Sequence, residues 1–72
     1  MPDWVRTRRQ AVGSNIRAAR ASAKLTQETL GELTGVDRKT INRVEQGTYA
    51  TDIDRLLLIA DALGTPLADL VR

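Results

Sequence analysis

The chain contains no cysteine, histidine or phenylalanine, and only one tryptophan and one tyrosine. Without cysteine there can be no disulfide, thiolate nucleophile or Cys-ligated metal. Without histidine the commonest general base and the commonest metal ligand are both missing. No metal and no cofactor is therefore expected. The acidic groups fall singly on expected solvent faces, and neither a nucleophile–base pair nor a Gly-rich phosphate loop is present, so an enzyme is not expected either. The longest apolar run, Leu56 to Ala60, is five residues, against the roughly 20 needed to cross a bilayer. The arginines near the N-terminus are not followed by an apolar stretch, as a secretory signal would require. No membrane association and a cytoplasmic location are the expectations.

What is present suits a small helical domain. Of 72 residues, 42% are apolar, and 18 of these are Val, Ile or Leu. That supports one modest core, not two. Low aromatic content with many Ala and Leu favours packed helices over a β-sandwich. The net charge of +2 hides a gradient. Residues 1–24 carry six basic groups (Arg6, Arg8, Arg9, Arg17, Arg20, Lys24) against Asp3 alone, whereas residues 25–50 sum to −1 and residues 51–72 to −2. Such polarity suits one face for a polyanion and another for something else, or simply a solvated basic tail.

The punctuation predicts five helices. Asp3 is a candidate cap for a first helix on which Val12, Ile16, Ala19 and Ala23 share a face, with Gly13 weakening it. Residues 1–10 are polar and either form an N-terminal arm or extend this helix. Residues 11–72 form the domain proper. Thr26 caps a second helix, with Leu30 and Leu33 inward and Gly35 as its stop. Asp37 caps a third, running to about Gln46, where Gly47 closes it. Thr51 or Asp52 caps a fourth, with Ile53, Leu56, Ala60 and Leu63 inward and Gly64 ending it. Thr65, as a cap, and Pro66, at the first helical position, open a short fifth.

The informative stretch is LTQETLGELTGVDRKTINRVEQG, Leu25 to Gly47. Two short helices separated by a Gly-Val turn make a helix-turn-helix. Gly31 sits where a side chain would obstruct approach of the second of the two. At about 100° per residue from Arg38, Asn42 falls near 40°, Gln46 near 80°, Lys39 near 100° and Arg43 near 140°. Ile41 and Val44 fall on the opposite side. Arg and Lys fit guanine O6 and N7, and Asn or Gln fits adenine N6 and N7, so this face suits the major groove of double-stranded DNA. The alternative is an ordinary amphipathic helix with a solvated polar face.

The sequence resembles the phage-repressor and Cro type (XRE-like) of helix-turn-helix DNA-binding domain over about Val12 to Leu70. The marks are Ile16, Arg17 and Arg20; Leu25-Thr26-Gln27; Gly35-Val36; Thr40-Ile41 with Val44-Glu45; Gly47; and Leu56, Ala60, Leu63-Gly64 and Leu70. The resemblance implies an all-α, compact five-helix, lambda-repressor-like fold, acting as a transcriptional regulator of the repressor kind. It implies base reading by Arg38, Lys39 and Arg43, with Asn42 between them. It implies phosphate contact by Thr26 and Gln27 at the second helix start and by Gln46, Thr48 and Tyr49 around the following loop, with Arg17 either a phosphate contact or solvated. Tyr49 could equally pack its ring on the fourth helix. Arg20 and Glu45 match a structural ion pair bridging the first and third helices.

Three features depart from the family pattern. Leu58 stands where a polar residue is usual and is expected to face solvent. Thr65 stands where a branched apolar residue is usual. The segment Met1 to Gln10 is longer than the domain requires, and its Trp4 with Arg6, Arg8 and Arg9 either follows DNA or packs on the domain or a second chain. A module this small is expected to bind as a homodimer, through Leu58, Leu67 and Val71 or through Trp4. With no added domain in the chain, a small-molecule effector is not expected. The competing reading is a protein-interaction module, such as an antitoxin or a coactivator-like adaptor, whose partner is a toxin or the transcription machinery.

Overall fold

Five α-helices follow one another in the computed structural model, which describes residues 1–72: α1 (Asp3–Ser22), α2 (Gln27–Thr34), α3 (Arg38–Gln46), α4 (Ile53–Leu63) and α5 (Leu67–Val71). Residues 3–10 are the first turns of α1. Pro2 occupies the N-cap, so Asp3 is not a cap but the first helical residue, where its carboxylate suits the positive end of the helix dipole. The extended helix is tied to the rest of the fold at several points. Arg9 Nε donates to the Gly47 carbonyl at 2.8 Å, Arg8 Nη2 to that of Val71 at 3.3 Å, and Asn15 Nδ2 to that of Leu70 at 3.1 Å.

Apart from the start of α1, helix ends follow the expected chemistry with three exceptions. Thr26 Oγ1 accepts from the Thr29 N–H at 3.0 Å, and Asp52, rather than Thr51, caps α4 by accepting from the Arg55 N–H at 2.8 Å. Gly35, Gly47 and Gly64 take left-handed backbone with φ of 71°, 70° and 64°. The first exception is Asp37, which holds the N-cap position of α3 without a side-chain bond. The second is α5, where Pro66 is itself the N-cap and the helix starts one residue later, while the Thr65 hydroxyl turns back to donate to the Leu63 carbonyl. The third is α1, which ends on a non-glycine in left-handed backbone, Lys24 at φ 59°. Lys24 N–H bonds to Ala21 O and Leu25 N–H to Arg20 O, the paired closure typical of a glycine stop.

Ile16, Leu30, Val36, Ile41, Val44, Ile59, Ala60, Leu63 and Leu70 form the core, with Val12, Ala19, Leu25, Tyr49, Leu56 and Leu67 packed half-buried around it. Three expected inward residues are outside it. Leu33 is 60% exposed and Ile53 56% exposed, and Ala23 is also exposed. α2 turns Leu30 and Gly31 inward, and Leu33 lies about 110° from their mean direction. Ile53 opens α4 at the edge of the buried arc set by Leu56, Ile59 and Leu63, and Ala23 lies beyond the end of α1. Ile59, absent from the expected face, is fully buried. The radius of gyration, 11.1 Å, matches the roughly 11 Å of a folded chain this long.

Candidate nucleic-acid interface

The position of α3 is set by close backbone approach at both ends. A Cβ on Gly31 would stand 2.6 Å from the Val36 carbonyl oxygen, so only glycine lets the turn fold against α2. At the other end, Gly13 of α1 lies directly against the Val44 and Glu45 carbonyls, and Gly47 lies against the backbone of Gln10. Ile41 and Val44 are buried between these clamps. The opposite side of α3 presents Arg38, Lys39, Arg43 and Gln46 exposed, with Asn42 half-buried beside them. None of the three cations is paired, since the ion pairs in the molecule are Arg20–Glu45 and Arg55–Asp52.

Behind this face is a buried ion pair. Arg20 donates to both oxygens of Glu45, from Nε at 2.7 Å and Nη2 at 3.0 Å, and its Nη1 reaches the Leu25 carbonyl at 2.9 Å. The Glu45 side chain is 2% exposed and that of Arg20 15%. The hydrogen bond to Glu45, more than its charge, raises the Arg20 pKa above its ordinary value against the opposing effect of burial. Loss of that guanidinium's proton would therefore cost stability only at strongly alkaline pH. Removing one partner alone strands a buried charge, at a cost of about 3–5 kcal/mol. The pair ties α1 to α3.

Gln27 joins this cluster. Its Nε2 donates to Asn42 Oδ1 at 3.1 Å and to Glu45 Oε1 at 3.2 Å. Together with Gln10, Ser14, Arg17, Arg20 and Gln46, these residues line a polar cleft of about 480 Å³ with no apolar wall. The sequence reading passed over Gln10 and Ser14. Their spacing to Arg17, i, i+4 and i+7, was the available signal, because it puts all three on one stripe of α1. Arg9, expected either to follow DNA or to lie on an extension of α1, lies on that extension and donates to the Gly47 carbonyl, which supports the C-terminus of α3.

The remaining phosphate candidates are spread around this cleft. Arg17 and Thr48 are exposed. Thr26 spends its hydroxyl on Thr29 at the start of α2. Tyr49 is half-buried, its ring packed against the core. Away from α3, Trp4 is 68% exposed. Leu57, Leu58 and Val71 are exposed, and Leu67 is half-buried. A shallow groove of about 230 Å³ lined by Val5, Val12, Tyr49, Leu56 and Val71 runs beside the start of α1. No group of three or more acidic side chains is placed to hold a metal ion, and no helix is long and apolar enough to cross a membrane.

Comparison with known proteins agrees with this architecture. The helix-turn-helix family model matches residues 16–70. HTH-type transcriptional regulators of Sinorhizobium medicae and Rhizobium meliloti, both uncharacterized, are each 37% identical over 57 residues. That alignment covers 79% of this chain but only 41% of theirs, so the chain spans less than half the length of these relatives. The crystal structure of the restriction-modification controller protein C.AhdI from Aeromonas hydrophila superposes with a TM-score of 0.82 at 33% identity, covering 85% of this chain and 92% of that one. The resemblance read from Ile16, Gln27, Gly35 and Gly47 is thereby borne out, and the chain belongs to the helix-turn-helix family.

Proposed function

We propose that this chain is a sequence-specific double-stranded DNA-binding transcriptional regulator, acting as a repressor, that reads the major groove with α3. One observation carries the reading: α3 holds Ile41 and Val44 in the core while turning three unpaired cations outward. Arg38, Lys39 and Arg43 face base edges, and Asn42 stands with them. Helix starts attract anions, which suits Thr26 and Gln27 to one phosphate. Arg17, Gln46, Thr48 and the Tyr49 hydroxyl line the path of the backbone. The regulator names of the rhizobial relatives and the controller role of C.AhdI fit this assignment.

Such a module works as a homodimer, placing two copies of α3 about 34–36 Å apart on successive major grooves. Leu58, Leu67, Val71 and Trp4 are the residues for that contact. A second reading rests on the exposed Leu57 and Leu58 with Asp54 and Asp61 on the same side of α4. That surface suits a protein partner, such as a toxin or a part of the transcription machinery.

Fluorescence anisotropy on a selected site and on random duplex tests the proposal. Arg38→Ala and Arg43→Ala should each weaken the selected site by about 1–3 kcal/mol and relax discrimination, whereas Gln27→Ala should weaken both duplexes alike. Unchanged discrimination in both arginine variants would remove α3 from the reading role.

A further inference from the structure

Which bases α3 reads is constrained by how its amides are already engaged. Glu45 is held by the Arg20 guanidinium, and a carboxylate in that state only accepts hydrogen bonds. Gln27 must therefore turn its nitrogen, not its oxygen, toward Glu45 Oε1. The same nitrogen lies 3.1 Å from Asn42, which fixes the Asn42 oxygen toward Gln27. Reading adenine requires both ends of one carboxamide, with the oxygen accepting from N6 and the nitrogen donating to N7. The Asn42 oxygen is directed into the cluster, so this pair of bonds is closed to it. Gln46, the other amide, is the final residue of α3, three positions beyond Arg43 and directly before Gly47. In this docking geometry it is the N-terminal part of the reading helix that meets base edges.

What remains at the reading end is cationic. Arg38 and Lys39 are the first two residues of α3, and Arg43 follows Lys39 by four. All three are exposed and none is paired with an acid. Guanine, with acceptors at both O6 and N7, is the base that such donors fit. Four residues of helix rise by about 6 Å, and base pairs are stacked about 3.4 Å apart. Lys39 and Arg43 therefore address bases about two steps apart. We propose that the half-site is defined by guanine, with at least two guanines read in the major groove within about four base pairs and no adenine read through its N6–N7 edge. This rests on the DNA-binding reading above and narrows it to one class of target.

The test is selection of bound duplex from a random library by the full chain, followed by base-analogue substitution. The expected motif is guanine-centred. Replacing its guanines with 7-deazaguanine, which lacks the N7 acceptor, should weaken binding about fivefold or more per base. 7-Deazaadenine at neighbouring adenines should leave affinity unchanged. Arg38→Ala and Arg43→Ala should each erase preference at a different guanine. A motif centred on adenine, or one sensitive to 7-deazaadenine and not to 7-deazaguanine, overturns the guanine assignment while leaving DNA binding intact. Binding to no duplex at all would overturn both.

Discussion

At the scale of single residues, the fold satisfies its buried polar side-chain atoms with one exception. Thr51 Oγ1 is buried without a hydrogen-bond partner, because Asp52 has taken the capping role at α4. An unsatisfied buried hydroxyl costs about 1–3 kcal/mol. Thr51→Val keeps the shape and removes the polar atom, so it should stabilise the protein by about 1 kcal/mol. Urea denaturation will show the midpoint rising with an unchanged slope; a lower midpoint would mean that the hydroxyl is solvated or bonded in solution. Arg20 and Glu45 show the opposite logic. Their charges are largely buried, but each nitrogen of Arg20 and each oxygen of Glu45 has a partner in Leu25, Gln27 or each other.

At the scale of elements, glycine placement governs which helices meet. Helix propensity alone would make Gly13→Ala stabilising by about 1 kcal/mol. Packing reverses the sign, because a methyl there collides with the Val44 and Glu45 carbonyls, which are backbone and cannot swing aside. Gly13→Ala should cost about 3 kcal/mol or more, read as a fall in melting temperature by circular dichroism. A neutral result would mean that α1 and α3 are not in backbone contact. Propensity is a local quantity and does not report what lies across an interface. That is why Gly13 read as a weak point in the sequence, whereas Gly35, Gly47 and Gly64, whose stopping role is local, read correctly. Ile53 and Leu33 misled for a related reason: periodicity gives a face but not how far a neighbouring helix extends to cover it. On α3 the signal was strong because polar and apolar residues fall on opposite sides. The engagement of Asn42 by Gln27 was not legible, since it joins residues fifteen positions apart on two different helices.

At the scale of the whole molecule, the charge gradient along the sequence acquires direction. Arg17 and Arg20 of α1 line the polar cleft, opposite Asn42 and Gln46 of α3. Arg55 lies on α4 and is paired with Asp52 at 3.3 Å. A cation that neutralises a phosphate releases counterions, so it contributes to the salt dependence of binding. Arg17→Ala should flatten the slope of log affinity against log salt by about one, while Arg55→Ala leaves it unchanged. Titrations between about 50 and 200 mM salt measure both, and equal slopes for wild type and Arg17→Ala would move the backbone path away from the cleft.

The clamping of α3 at both ends has a thermodynamic consequence. Its turn is seated on Gly31, its last turn packs against Gly13 and Gln10, and Arg9 donates to the Gly47 carbonyl. In the DNA-binding reading proposed above, a helix fixed in this way would enter the groove with little ordering left to do beyond its own long side chains, so the entropic penalty of association would fall mainly on Arg38, Lys39, Arg43 and the DNA. Discrimination would then depend on whether the duplex can conform to a rigid template, and sequences that resist bending toward it would be rejected even where every contacted base is correct.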